Sequence, residues 1–260
     1  MKQITSRDNP LYKELKQLAS SSQARRKSGR SLLDGIHLAQ AYLQHVGLPL
    51  LCVASESAQA DPEVAALLAR CASADKCIVL ADTLYRSLSQ VENGTGPLLL
   101  IDVPPAQAPA ALTQSAVLLD QLQDPGNLGS ILRSAAGAGI RQVYCSPGTV
   151  FAWSPKVLRA GMGAHFLLEI FENQDLTALA QAARIPLLAT SSHARQTLYE
   201  TDLTRPVAWL FGHEGQGVRP ELLALASQQL AIPQSAAIES LNVAAAAAVC
   251  FFEQVRQSRR

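Results

Sequence analysis

Arg133 is the only charged residue in a predicted helix, Leu128 to Gly137, whose other side chains are small or apolar. The helix follows a short apolar run at 117–119, which is typical of a buried strand, and a turn that contains Asp124 and Asn127. Either turn residue can cap the helix. A strand–loop–helix segment leaves backbone N–H groups available to a ligand, and an arginine among apolar neighbours indicates an anionic partner.

Two further polar loops follow predicted strands in the same half of the chain. One is rich in glycine and runs from Phe211 to Gly217, and the other runs from Ile232 to Asn242. Ligands of parallel α/β sheets bind beyond the carboxyl ends of the strands. Convergence of the three loops would therefore form a pocket for an adenosine-like ligand, lined by backbone groups and by the side chains of Glu214, Ser240 and Asn242.

Each of these features also has a structural interpretation, and the residue types alone leave the choice open. The glycines of the second loop can serve a turn, Ser240 can cap the final helix, and Glu214 can be a solvated loop acid. Arg133 can pair with a structural carboxylate. Two nucleotide-binding motifs are excluded, because residues 126–129 lack the GxGxxG spacing and the chain has no GxxxxGK[ST] sequence.

The composition indicates a globular protein with neither a membrane span nor a metal site. Of its 260 residues, 48% are apolar and 17% are charged, which suits one large domain or two modest ones. No apolar run reaches about 18 residues, and the N-terminus lacks the apolar core of a signal peptide. Five cysteines without a CxxC pair and five scattered histidines predict reduced thiols, a cytoplasmic location and no metal.

The charges are unevenly distributed along the chain. Residues 1–30 carry eight Lys and Arg against two Asp and Glu, a balance of +6, whereas the remaining residues carry fourteen against nineteen, a balance of −5. The densest basic cluster comprises Arg25, Arg26, Lys27 and Arg30. Such a cluster predicts contact with a polyanion such as RNA, and its alternative is a solvated basic helix.

The order of predicted helices and strands indicates an α/β protein in two parts. Residues 1–103 are expected to form a small α/β domain, and 104–114 contain a proline-rich linker. Residues 115–260 alternate strands and helices in the order that builds a mostly parallel sheet with helices on both faces. Elements predicted in this second domain include a helix at 153–160, a strand at 166–170 and an alanine-rich final helix at 241–255.

Taken in order, the three loops resemble the three motifs of the SpoU (TrmH-like) RNA ribose 2′-O-methyltransferases, a family of the SPOUT superfamily. The matching residues are Asp124-Pro125-x-Asn127-x-Gly129-x-x-x-Arg133, Phe211-Gly212-x-Glu214-Gly215-x-Gly217, Ile232-Pro233 and Ser240-Leu241-Asn242-Val243. The resemblance spans residues 117–255. Residues 1–100 resemble, more weakly, the N-terminal substrate-binding domain of the family, with Asp34-Gly35 as its acid–glycine pair before a helix.

The resemblance implies a fold, a cofactor and partners. The C-terminal SPOUT domain would contain a deep trefoil knot, a rare exception to unknotted topology, and the protein would be a homodimer whose active site uses both subunits. The cofactor would be S-adenosylmethionine, and the partner would be RNA. A substrate-binding domain in front of the knot favours ribosomal RNA over transfer RNA. Cofactor-binding positions implied by the family are Thr190, Gly212, Gly217, Ile232 and Leu241.

The resemblance also implies roles for five side chains. Arg133 corresponds to the key residue of the family, which acts on the ribose 2′-hydroxyl or its phosphate. Because a guanidinium hardly deprotonates in a protein, stabilisation of an alkoxide is expected rather than general-base catalysis. Asn127 would position Arg133 or the RNA, and Glu214 would orient one of these groups. Ser240 and Asn242 would complete the site.

Three segments depart from the family pattern. Residues 234–236 are Gln-Ser-Ala where Met-x-Gly is common after Ile-Pro, and Ala244 opens an alanine run where Ser or Thr is common. In the N-terminal domain, residues 91–97 replace the usual Pro-Gln-Gly turn. These departures concern specificity and RNA docking more than the side chains expected to perform chemistry.

Two other functions are compatible with parts of the sequence. One is an RNA-binding ribosome-assembly factor of the same fold that has lost catalysis, and the presence of all five expected site residues argues against it. The other is a nicotinamide-dependent oxidoreductase, which fits only the coarse α/β pattern and lacks the dinucleotide fingerprint. Cofactor binding would discriminate between catalysis and the first alternative.

Overall fold

The chain folds into two compact units in the computed structural model. The structure describes residues 1–72, 76–91, 96–192, 194–235 and 237–259. The first unit comprises Met1–Pro105 and Trp153–Phe166, and the second comprises Ala106–Ala152 and Leu167–Arg260. The domain boundaries proposed from the sequence, after residues 103 and 114, stay a prediction. Residues 92–95 and Ala236, which belong to the segments that depart from the family pattern, lie outside the described residues.

The described residues form eleven strands and ten α-helices. The strands are β1 (Lys2–Ile4), β2 (Arg30–Asp34), β3 (Leu51–Ser55), β4 (Cys77–Leu80), β5 (Leu98–Asp102), β6 (Ala116–Leu119), β7 (Gln142–Cys145), β8 (Glu169–Phe171), β9 (Leu187–Thr190), β10 (Ala208–Phe211) and β11 (Gln228–Leu230). The helices are α1 (Pro10–Ser20), α2 (Ser22–Ser28), α3 (Ile36–His45), α4 (Pro62–Ala72), α5 (Asp82–Arg86), α6 (Pro125–Gly137), α7 (Pro155–Gly161), α8 (Leu176–Gln181), α9 (Pro220–Leu223) and α10 (Val243–Ser258).

The first unit is built on a mixed five-stranded sheet in the order β1-β4-β3-β5-β2. Strand β5 runs antiparallel to both β2 and β3, whereas β4 lies between β1 and β3 and is parallel to both. Helix α1 begins at Pro10 because the side chain of Asn9 accepts the backbone N–H of Leu11, and its apolar face buries Leu15 and Leu18 in the core of this unit.

Residues 153–166 belong to the first unit although the chain on either side of them belongs to the second. Ser31 in β2 donates its hydroxyl to the carbonyl oxygen of Trp153 at 2.5 Å. Tyr42 in α3 packs edge-on against Phe166, with ring centroids 5.3 Å apart. These are long-range tertiary contacts, so periodicity along the chain contains no signal for them.

The second unit is a fully parallel six-stranded sheet in the order β11-β9-β10-β6-β7-β8. This confirms the α/β fold with a parallel sheet predicted from the sequence. Leu118 and Leu210 point to a core that also contains Leu179 of α8 and Leu222 of α9. On the opposite face, Phe211 packs edge-on against Phe251 of α10.

Several predicted element boundaries require correction. The strand expected at 166–170 is instead a 3-10 turn at Ala164–Leu167 followed by β8 at Glu169–Phe171. The final helix begins at Val243 and not at 241, because Asn242 accepts the backbone N–H groups of Ala244 and Ala245. Asn242 is therefore the cap of that helix, and the structural interpretation of Ser240 as its cap was wrong.

Within the described part of the chain, every helix is too short or too polar to traverse a lipid bilayer.

Candidate active site

The first predicted loop connects β6 to α6 and ends in a well-formed helix cap. The Oδ1 atom of Asp124 accepts the backbone N–H of Asn127 at 2.7 Å, and Pro125 occupies the first helical position, where its missing N–H costs nothing. Of the two caps that the sequence allowed, the structure uses Asp124. The cap fixes Asn127 on the first turn of α6, at the carboxyl edge of the parallel sheet.

The glycine-rich loop after β10 closes tightly on itself. The backbone of His213 and Gly217 exchanges two hydrogen bonds, of 3.0 and 2.8 Å, and Gly217 has a positive φ of 70°. A Cβ atom at Gly212 would lie only 2.2 Å from the Gly217 carbonyl carbon and from the Val218 nitrogen. The loop therefore requires glycine at 212 for its close backbone contact and at 217 for its turn.

Glu214, at the tip of this loop, is bound to the first loop. One carboxylate oxygen accepts the backbone N–H of Asp124 at 2.9 Å and the side-chain amide of Asn127 at 3.1 Å, and the other accepts the backbone N–H of Gln123 at 3.1 Å. Glu214 is thus a structural acceptor between two loops and not a freely solvated acid.

These contacts keep Glu214 ionised. Burial by itself raises the pKa of its carboxyl group, but the hydrogen bonds from Asp124, Asn127 and Gln123 outweigh burial and hold that pKa below its usual value of 4.5. The negative charge is therefore present throughout the neutral range.

Asn127 extends the network to the third loop. Its side-chain oxygen accepts the amide of Asn242 at 2.9 Å, while the oxygen of Asn242 accepts the first backbone N–H groups of α10. Each side-chain amide thus has its nitrogen facing an acceptor and its oxygen facing a donor, which determines the orientation of both. Glu214, Asn127 and Asn242 form one continuous chain of hydrogen bonds across the three loops.

The three loops surround an open cleft of about 770 Å³, within the range of small-molecule sites. The sequence-predicted residues that line it are Asn127, Thr190, Gly212, Glu214, Gly217, Ile232, Ser240, Leu241 and Asn242. Much of the remaining lining comes from the other residues of 211–218. In the described ranges, no group of three or more His, Cys, Asp or Glu side chains is placed to hold a metal ion.

Arg133 is the one predicted catalytic residue that lies elsewhere. It is exposed on α6, does not line the cleft, and has neither a hydrogen bond nor an ion pair with any described residue. Six residues of α-helix turn by about 600°, so Arg133 projects about 120° away from Asn127 around α6. The structural carboxylate that the sequence allowed as its partner is absent from the described part of the chain.

Sequence reasoning missed the residues that support the loops from outside the cleft. Asp120 is fully buried at the end of β6 and accepts both the backbone N–H and the Nε–H of Arg219. The hydrogen bond to Asp120 also raises the pKa of the Arg219 guanidinium. The sequence signal that was available for Asp120 was an acidic residue directly after an apolar strand. Gln121 follows with a positive φ of 57°, a conformation that no sequence pattern indicates.

The predicted RNA-binding cluster divides into buried and exposed members. Arg25 is only 6% exposed, and its guanidinium donates to the carbonyl oxygens of Leu18 and Ala19 at the end of α1. Arg30 is half-buried and pairs with Glu14 at 3.0 Å. Two members, Arg26 and Lys27, are exposed in the last turn of α2.

The family model that matches this chain is the SpoU rRNA Methylase family, over residues 114–252. A Synechocystis protein described as an uncharacterized tRNA/rRNA methyltransferase is 38% identical over 98% of this chain and 93% of its own length. The 23S rRNA (guanosine(2553)-2'-O)-methyltransferase RlmP of Bacillus subtilis is 26% identical, over 97% of this chain and 98% of its own length.

Solved structures show the same similarity over the whole chain. The crystal structure of an RNA 2'-O ribose methyltransferase is 31% identical, with a TM-score of 0.79 over 99% of this chain and all of that one. A putative RNA methyltransferase of the TrmH family from Porphyromonas gingivalis has the same TM-score at 28% identity, over 95% and 97% of the two chains. The family model and the Synechocystis relative together show that this chain belongs to the SpoU rRNA methylase family.

Proposed function

We propose that this protein transfers the methyl group of S-adenosylmethionine to a ribose 2′-hydroxyl of RNA. Ribosomal RNA is the preferred candidate substrate, and transfer RNA is the second. The observation that carries the proposal is the hydrogen-bonded chain of Glu214, Asn127 and Asn242, which brings the three family motifs to a single cleft. Relatives that match almost the full chain are named as RNA and 23S rRNA 2′-O-methyltransferases, which supports the substrate and the reaction.

The cleft has the properties that S-adenosylmethionine requires. Its size is adequate, and residues 211–218 and 240–243 line it, so that polar groups of these loops can serve an adenosine and an amino acid. We propose Thr190, Gly212, Gly217, Ile232 and Leu241 as the residues that hold the cofactor. When bound, the sulfonium would supply an already activated methyl group and leave as a neutral thioether, and the 2′-hydroxyl would release its proton to water. The protein has to position the hydroxyl and stabilise the charge that develops on it.

Arg133 is the proposed stabiliser of that charge. A guanidinium remains protonated and presents several N–H donors, which suits a developing alkoxide or the adjacent phosphate. Glu214 holds Asn127 in place, since its two oxygens are occupied by three donors. Ser240 and Asn242 complete the wall of the cleft. In this assignment Arg133 and the residues that line the cleft serve the same reaction. Helix α6 nevertheless directs Arg133 away from the cleft of its own chain.

That direction of Arg133 supports a homodimer with shared active sites. An exposed Arg133 outside its own cleft is suited to the cleft of a second copy. Phe252 on α10 is 50% exposed, and its ring lies next to Gly137 of α6. A Cβ atom added at Gly137 would be 3.6 Å from that ring. Helices α6 and α10 pack against each other. The exposed aromatic side chain of Phe252 on this helix pair supports an interface between two copies of the chain at α6 and α10.

The trefoil knot and the domain functions belong to the same proposal. Strand β10 lies between β6 and β9, which both precede it in the sequence, so the chain inserts β10 into the interior of the sheet. Helix α10 then packs beside α6. This path supports a knot in residues 115–260. The segment 1–103 is the proposed substrate-binding domain. The cytoplasm, where ribosomal RNA is made in bacteria, is the proposed location.

RNA binding by the N-terminal segment should depend strongly on salt. We expect log K for unmodified ribosomal RNA to fall linearly with log salt, and Lys27→Gln to reduce the slope by about 0.7, the value of one lost phosphate contact to a single strand. Arg30→Gln should change the slope less, because Glu14 already neutralises Arg30. A salt titration by filter binding measures both slopes. A flat titration for the unmodified protein would contradict the proposed contact.

The decisive experiment supplies the protein with S-adenosylmethionine labelled in its methyl group, and with unmodified ribosomal RNA and transfer RNA in separate reactions. We expect label in the ribosomal RNA, recovered as an alkali-resistant dinucleotide because a 2′-O-methyl group blocks hydrolysis at that ribose. Label in an alkali-sensitive product would move the reaction from the ribose to a base. Absence of both label and cofactor binding would refute the proposed function.

A further inference from the structure

Asp120 contacts both ends of the glycine-rich loop at the same time. Its backbone N–H donates to the carbonyl oxygen of Phe211, where the loop leaves β10, at 2.8 Å. Its carboxylate accepts the backbone N–H of Arg219 at 3.1 Å and the Nε–H at 3.0 Å, where the loop enters α9. The seven residues of 212–218 are therefore closed into a ring by a single residue of the neighbouring strand.

The chemistry of this closure is that of a buried ion pair. The Asp120 side chain is completely buried, whereas the Arg219 side chain is partly exposed and also lies 3.6 Å from Glu221. A buried carboxylate is tolerated only when it is paired and hydrogen-bonded, and the removal of one partner leaves an uncompensated charge. The pair therefore fixes where residue 219 lies relative to the end of β6.

The same ring carries the residue that organises the cleft. Glu214 lies in its middle and binds Gln123, Asp124 and Asn127, which follow Asp120 along the chain. Between these two attachments Gln121 adopts its positive φ, a conformation that persists only where the surroundings enforce it. Neither Asp120 nor Arg219 lines the cleft.

We propose that Asp120 and Arg219 are positioning residues for the cofactor-binding loop. Their ion pair closes the ring 212–218, and thereby sets the position of the loop backbone that faces the cofactor and of Glu214 that holds Asn127. The cofactor part of this inference rests on the proposed function. The closure of the loop does not, since all the contacts that make it lie within the chain.

The test compares Arg219→Met with Glu221→Gln, which removes the other ion pair of Arg219 and leaves Asp120 untouched. Hydrogen exchange of the amides of 212–218 in the ligand-free protein measures loop closure directly. We expect faster exchange in Arg219→Met, partial recovery in Arg219→Lys, and unchanged exchange in Glu221→Gln. Equal protection of the loop in Arg219→Met and in the unmodified protein would overturn the inference.

Calorimetric titration and steady-state kinetics measure the functional part. We expect Arg219→Met to weaken S-adenosylmethionine binding roughly 10- to 100-fold, the effect of a displacement of about 1 Å, while the KM for RNA stays unchanged. Parallel losses of cofactor and RNA affinity would indicate general destabilisation and overturn the positioning role. If the unmodified protein fails to bind S-adenosylmethionine, the proposed function fails, and hydrogen exchange still decides whether the ion pair closes the loop.

Discussion

Arg133→Ala is expected to reduce methyl transfer about 100- to 1,000-fold, the typical effect of removing one donor that stabilises a developing oxyanion. Its affinity for S-adenosylmethionine should stay unchanged, because Arg133 is assigned to the ribose hydroxyl and its phosphate, and it does not line the cleft of its own chain. Single-turnover transfer of labelled methyl groups and calorimetric titration measure the two quantities. Arg184→Ala removes an equally exposed arginine of the same unit, so it controls for the change in net charge.

Mixed dimers test whether Arg133 acts in the cleft of the other subunit. Glu214→Gln should damage the cleft, because one carboxylate oxygen would become an NH₂ group that faces the donors of Gln123, Asp124 or Asn127. In a purified heterodimer of Arg133→Ala and Glu214→Gln, one shared site would have an intact cleft and an intact arginine. We therefore expect the heterodimer to regain activity that neither homodimer has.

Two results would contradict this assignment. A heterodimer without activity would place Arg133 in the cleft of its own subunit, and a loss of cofactor affinity in Arg133→Ala comparable with the loss of transfer would assign Arg133 to cofactor binding. Sedimentation of each variant establishes that the dimers are intact, which separates both results from a failure to associate.

Local chemistry explains which features could be predicted from the sequence. The helix cap at Asp124, the parallel sheet and the three polar loops depend on short-range residue types and on periodicity, and all of them appear in the structure. The family resemblance is likewise carried by short motifs, and the family model confirms it.

Features that depend on distant contacts were not predictable in this way. The ring closed by Asp120 joins it to Arg219, 99 positions further along the chain, and the burial of Arg25 against the end of α1 depends on how α2 folds back. Charge counting treats Arg25, Arg26, Lys27 and Arg30 as equivalent, whereas the fold buries one, pairs another and exposes two. A charge pattern thus predicts the sign of a surface but not the side chains that form it.

Gly212→Ala is expected to eliminate cofactor binding by a purely steric route. The added methyl group would lie 2.2 Å from the backbone of Gly217 and Val218, and backbone atoms cannot turn aside as a flexible side chain can. The loop would have to open, which displaces Glu214 and separates the backbone hydrogen bonds between His213 and Gly217. A displacement of about 1 Å can reduce the rate of a reaction about 100-fold, and we expect a loss of similar size in S-adenosylmethionine affinity.

The neighbouring glycine provides the matched control for this substitution. A Cβ atom at Gly215 would meet only the His213 ring, at 3.8 Å, which is ordinary van der Waals contact. Gly215→Ala therefore makes the same chemical change three residues away without a clash inside the protein, and it should lose far less cofactor affinity and methyl transfer than Gly212→Ala. Equal losses in both variants would show that the loop tolerates no alanine at all. Equal retention would show that the close contact at Gly212 does not shape the cofactor site. Only the predicted difference assigns the tight contact between residues 212 and 217 to the formation of that site.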